Sequence, residues 1–94
     1  MKLEMKRCVS IQVIGKVQGV FFRASARDKA SELGLCGFVQ NATDGNVNIK
    51  IEGEEERLSQ FEAWCWQGPP QAVVQMVTKE ELELQNFLTF EIIR

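Results

Sequence analysis

Residues 8–33 read CVSIQVIGKVQGVFFRASARDKASEL, and a change of period inside this stretch sets the fold. From Cys8 to Ile14 the residues alternate. Val9, Ile11 and Val13 share one face, while Cys8, Ser10 and Gln12 share the other. A period of two predicts a half-buried strand, which Gly15 should end. From about Phe22 to Leu33 the spacing lengthens. Phe22, Ala26, Ala30 and Leu33 form one apolar stripe at helical spacing, and Arg23, Arg27, Asp28, Lys29 and Glu32 are left mostly to solvent. Gly34 suits the left-handed residue that closes a helix.

Leu35 to Gln40 reads as a second strand. Val47 to Glu52 alternates cleanly, with Val47, Ile49 and Ile51 inward. Asp44-Gly45 between the two strands is a hairpin signal, and Gly53 should break the third strand. Glu54, Glu55 and Glu56 suit the first turn of a second helix, where the helix dipole favours negative charge. Leu58, Phe61 and Cys65 form its buried stripe with Trp64 at the core edge, whereas Trp66 is free to be exposed. Gly68-Pro69-Pro70 stops the helix. Ala72 to Thr78 alternates, as do Leu88, Phe90 and Ile92 near the C-terminus. The expected order is strand, helix, strand, strand, helix, strand, with a closing strand. That is an α+β, ferredoxin-like two-layer sandwich, with both helices on one face of an antiparallel sheet. At 94 residues, one domain spanning 1–94 is the expectation.

Composition removes several function classes. Eleven basic and thirteen acidic residues leave a net charge of −2. Neither nucleic acid nor an anionic membrane is the expected partner of such a surface. No apolar run approaches the roughly 18 residues that span a bilayer, and the N-terminal MKLEMKRC lacks a signal-peptide core. The three cysteines, Cys8, Cys36 and Cys65, match no metal or redox spacing. They read as small hydrophobes in a reducing compartment, so the cytoplasm is the expected location. The chain has no histidine. A side-chain base near neutral pH would have to be a perturbed carboxylate, lysine or cysteine.

The segment between the first strand and the first helix carries the most chemistry. Gly15-Lys16-Val17-Gln18-Gly19-Val20 can turn successive backbone N–H groups toward one point as an anion cradle. The helix N-terminus adds partial positive charge. Arg23 can offer a two-pronged guanidinium to the same anion. Val17 follows Lys16, so this is no nucleotide-binding P-loop. Glycines at such spacing also serve plain turns, and the residues alone leave both readings open. Asn41, at the mouth of the hairpin, is the second candidate; asparagine there often just caps a turn.

Two long stretches together resemble one family. GKVQGVFFR (residues 15–23) is similar to the first signature of the acylphosphatases, and GFVQNATDGNVNIKIEG (residues 37–53) to the second. Gly68-Pro69-Pro70, Ala72, Val74 and Phe90-x-Ile92 also fit, so the resemblance covers nearly the whole chain. It implies hydrolysis of the carboxyl–phosphate bond of acyl phosphates, with no metal and no cofactor. Arg23 and Asn41 would be catalytic. Gly15, Lys16, Val17, Gln18, Gly19 and Val20 would bind the phosphate together with Arg23. The expected partner is a small acyl phosphate, with inorganic phosphate as product and competitive inhibitor, acting on a monomer.

The chemistry suits the residues. A departing carboxylate has a conjugate acid of pKa about 4, so it needs little help from a general acid. An alkoxide leaving group would want one. Direct in-line attack by water, positioned by the Asn41 amide, is the expected route. The competing expectation is a non-catalytic ferredoxin-like binding or accessory module. An RNA-binding module would need exposed aromatics on the sheet and a basic face; Gly37-Phe38-Val39 echoes such a strand only faintly.

Overall fold

The computed structural model describes residues 5–94. Its elements are β1 (Lys6–Lys16), α1 (Phe22–Glu32), β2 (Cys36–Asn41), β3 (Val47–Glu54), α2 (Glu55–Gln67), β4 (Val73–Leu82) and β5 (Phe90–Ile93). The strands form one sheet in the order β4-β1-β3-β2-β5. This is the expected ferredoxin-like sandwich with one correction. β1, β3, β2 and β4 pair antiparallel, but β5 lies parallel to β2, so the sheet is mixed. The reason is topological. β4 ends at the same end of the sheet where β2 begins. Residues 83–89 cross at that end, so β5 must start there and run alongside β2. In consequence β1, β2 and β5 all finish at the opposite end.

The helix-facing layer is built as the periodicities require. Val9, Ile11 and Val13 of β1 and Val47, Ile49 and Ile51 of β3 are buried with Phe22, Ala26 and Ala30 of α1 and Leu58, Phe61 and Cys65 of α2. Trp64 closes the edge, with its ring 5.3 Å from Phe22 and 5.7 Å from Phe61. Trp66 is exposed. α1 ends in a Schellman arrangement: the Gly34 N–H donates to the Ser31 carbonyl and the Leu35 N–H to that of Ala30. All three cysteines are free, with Cys8 and Cys65 buried.

Several boundaries differ from the sequence expectation; β2 is shifted by one residue and β4 runs on to Leu82. Gly15 does not end β1; the strand continues to Lys16 through a register shift between Ile14 and Gly15. Ile14 pairs with Met76 and Gly15 with Val74, which leaves Gln75 as an extra residue in β4. This bulge reverses the alternation, so Val74 and Val77 both reach the core while Met76 is exposed. A Cβ on Gly15 would lie 2.2 Å from the Val73 carbonyl oxygen, so only glycine allows this approach. Gly53 does not break β3; it pairs with Arg7. Glu54 is the N-cap of α2, so only Glu55 and Glu56 occupy the first turn. Leu88 is 90% exposed and lies outside β5.

One buried charge stands on the face away from the helices. Glu52 is only 2% exposed. Its carboxylate accepts the N–H groups of Gln85 (2.6 Å), Asn86 (3.1 Å) and Phe87 (2.9 Å). The Phe87 ring packs edge-on against Phe38, 6.0 Å between centroids. The segment that crosses the sheet is therefore pinned midway, at β3, before it becomes β5. Burial pushes the Glu52 carboxyl upward, but the three amides and Lys6 outweigh it and hold it below the ordinary glutamate value.

Glu52→Ala strips three backbone donors of their acceptor and should lower stability to urea by about 3 kcal/mol; a loss under about 1 kcal/mol would contradict the pinning role. The depressed carboxyl also fixes a pH dependence. Its stabilisation is complete above the unfolded value of about 4.3 and disappears as pH falls through the lower folded value. The gap in stability between parent and variant should narrow on that acid side.

Candidate active site

The ends of β1, β2 and β5 frame one corner of the molecule, and the N-terminus of α1 points into it. Between β1 and α1 the chain has only residues 17–21 to make the turn. Val17 and Val20 are buried in the core, which holds this loop at two points. Gly19 between them is exposed and has φ +73°, a conformation that L side chains disfavour. Phe21 takes the N-cap position with φ 65° and ψ 22° and makes no side-chain cap.

That geometry leaves α1 electropositive at its start. The first backbone bond into the helix is Ser25 N–H to the Phe21 carbonyl, 3.0 Å. The amides of Phe22, Arg23 and Ala24, ahead of it, have no intrahelical partner by construction. No acidic side chain occupies the first turn, so the dipole is not offset locally.

These groups line a pocket of about 290 Å³. That is at the small end of ligand sites, roughly 300–1,000 Å³, and suits a compact anion. Val17, Gly19, Arg23 and Asn41 are on its wall, so the structure brings together the two residues singled out as catalytic. Gly15 and Lys16 lie in β1, paired with Val74 and Val73 of β4. Neither they, Gln18 nor Val20 is on the pocket wall. Ile92 and Arg94 enter the pocket from the end of β5. Gln40 pairs with Ile93, so residue 94 follows beside Asn41. Sequence reasoning missed Arg94, because its place depends on β5 docking against β2. Among the described residues, neither Arg23 nor Arg94 forms an ion pair.

Asn41 Oδ1 is the most informative atom. It is buried and accepts no hydrogen bond among the described residues. Buried polar atoms almost always have a partner, because leaving one unmet costs about 1–3 kcal/mol. An acceptor held open on a residue that shares its pocket with Arg23 fits a site whose partner is a bound molecule or water.

Gln18 has a different task from its neighbours. Its Nε2 donates to the carbonyls of Ala42 and Asn46, each at 2.8 Å. The hairpin closes on itself through Ala42 N–H to the Asn46 carbonyl (2.9 Å) and Asn46 N–H to Asp44 Oδ1 (3.0 Å). Gln18 thus ties the loop before α1 to the hairpin that follows Asn41. It sets the spacing between the loop and the catalytic candidate.

A second groove, about 240 Å³ between α2 and β4, lacks this character. Lys79 pairs with Glu62 at 2.8 Å, and Arg7 is engaged by Glu81 and Glu55. Its cations are already neutralised.

Comparison with known proteins shows the family of the chain. Residues 9–92 match the family model described as Acylphosphatase. An acylphosphatase of Coxiella burnetii is 42% identical over 91 residues, covering 97% of this chain and 96% of the relative. One of Marinobacter nauticus is 51% identical over 79 residues, covering 83% and 86%. A solved structure of a Coxiella burnetii acylphosphatase superposes with a TM-score of 0.92 at 40% identity, covering 99% of this chain and all of that one.

Gln18→Met keeps the length of the side chain and removes its donor, leaving two carbonyls short of a partner. Chemical denaturation should show a loss of about 1–3 kcal/mol. A variant as stable as the parent would mean that the loop and hairpin are held together by something else.

Proposed function

The chain belongs to the acylphosphatase family and is an enzyme of that class, and from that premise we propose that it hydrolyses acyl phosphates by in-line attack of water on phosphorus, without a metal. The observation that carries this reading is the open, buried Oδ1 of Asn41, which lines one pocket with Arg23, a residue that forms no ion pair among the described residues.

The phosphoryl group sits at the start of α1. The free amides of the loop and first helical turn take its oxygens, and the Arg23 guanidinium grips two of them. Arg94 adds a second positive charge at the same mouth. Phosphoryl transfer asks chiefly for positioning and for neutralisation of charge on the equatorial oxygens. These groups supply both. Asn41 Oδ1 accepts a hydrogen bond from a water molecule and orients its lone pair toward phosphorus.

The water oxygen forms the new bond to phosphorus as the bond to the carboxylate oxygen breaks. The bonding pair leaves with the carboxylate, a stable anion that needs no general acid. The water's proton passes to a phosphoryl oxygen of the substrate, so the products are carboxylate and dihydrogen phosphate. A histidine-free chain can run this reaction because no step requires a protein base.

The test is hydrolysis of benzoyl phosphate in EDTA. Parent activity should survive the chelator, and inorganic phosphate should inhibit competitively. Arg23→Ala should abolish most turnover, with Arg23→Lys restoring little. Asn41→Ala should lower kcat by about 10²–10³ with a smaller change in KM. Turnover by Asn41→Ala at the parent rate would remove Asn41 from the mechanism, and loss of activity in EDTA would demand a metal.

A further inference from the structure

Phe21 is a pocket residue whose side chain the phosphate chemistry leaves unused. The residue is 76% exposed, yet it lines the pocket that holds Arg23 and Asn41. Its backbone is left-handed, φ 65° and ψ 22°, which is uncommon for a bulky residue. Strained conformations of this kind gather at functional sites, where the surroundings enforce them. The core does not need the ring, because Phe22, the next residue, is the one that is buried. Glycine or asparagine would take the same backbone turn more easily.

The pocket wall is two-sided in its chemistry. Arg23, Arg94 and the amides of the helix start make one part cationic. Phe21, with Ile92 and the methyl of Ala24, makes another part apolar. An acyl phosphate has the matching division, an anionic phosphoryl group joined to an acyl group. We propose that Phe21 determines acyl-group specificity: its exposed ring is a platform for the acyl side, and the enzyme favours aromatic over small aliphatic acyl phosphates. This inference rests on the reading of the pocket as an acyl-phosphate site.

The left-handed turn gives the ring its place. It projects from the residue just before the helix, while the amides that follow it stay directed at the phosphoryl group. A ring stacked on a substrate ring gains more than a methyl group can, through area and through the geometry of aromatic pairs. The preference should therefore reside in the ring and not in the phosphate clamp.

The experiment compares kcat/KM for benzoyl phosphate and acetyl phosphate, with the inhibition constant of inorganic phosphate measured beside them. Phe21→Gly keeps the left-handed turn open and removes the ring. It should lower the benzoyl-to-acetyl ratio about five- to tenfold while leaving phosphate inhibition unchanged. Phe21→Trp should retain the ratio. A ratio unmoved in Phe21→Gly overturns the proposal. So does an equal loss on both substrates with weakened phosphate inhibition, which would make Phe21 a shaper of the loop. Absence of hydrolysis of either substrate by the parent would overturn the acyl-phosphatase reading itself, and this inference with it.

Discussion

A side-chain amide holding two backbone carbonyls is the constraint on which the pocket depends. Gln18 reaches from the loop before α1 to Ala42 and Asn46 in the neighbouring hairpin. The loop is fixed from below by Val17 and Val20, both in the core. With the loop anchored to the core and tied sideways to the hairpin, the first turn of α1 and the end of β2 face one space. Such supporting bonds matter because catalytic groups must be held within fractions of an ångström.

The electrostatics follow from the same placement. The chain carries a net charge of −2, and most of its cations elsewhere are matched, as in the groove where Lys79 meets Glu62. At the pocket the pattern reverses. Two arginines and an uncapped helix start meet there with no acidic residue in the first turn. Local charge, and not the average over the surface, decides what this corner attracts. Opposite these donors, Asn41 offers an acceptor. Donors for a bound anion and one acceptor for a nucleophile are the two halves that the proposed hydrolysis would use.

Much of this could be read from residue order. The switch from period two to helical spacing between Ile14 and Phe22 placed the loop, and the stripe from Phe22 to Leu33 placed the helix that follows it. The two signatures named Arg23 and Asn41, which the fold brings to one pocket. Other features depend on contacts between distant segments. The bulge at Gln75 arises only when β4 pairs with β1 across Gly15. Arg94 reaches the pocket only because residues 83–89 cross the sheet and set β5 parallel to β2. Glu52 reads as the polar half of an alternating strand, and only the crossing segment buries it. The local pattern specifies elements, whereas the order of strands is a tertiary result.

In the proposed reaction water attacks phosphorus while Arg23 and the helix start hold the phosphoryl oxygens. Hydrolysis of benzoyl phosphate in water labelled with heavy oxygen tests it directly, because mass spectrometry of the products reports which atom was attacked. Attack at phosphorus puts the label in the inorganic phosphate and none in the benzoate. Label in the benzoate would place the attack at the acyl carbon and contradict the account.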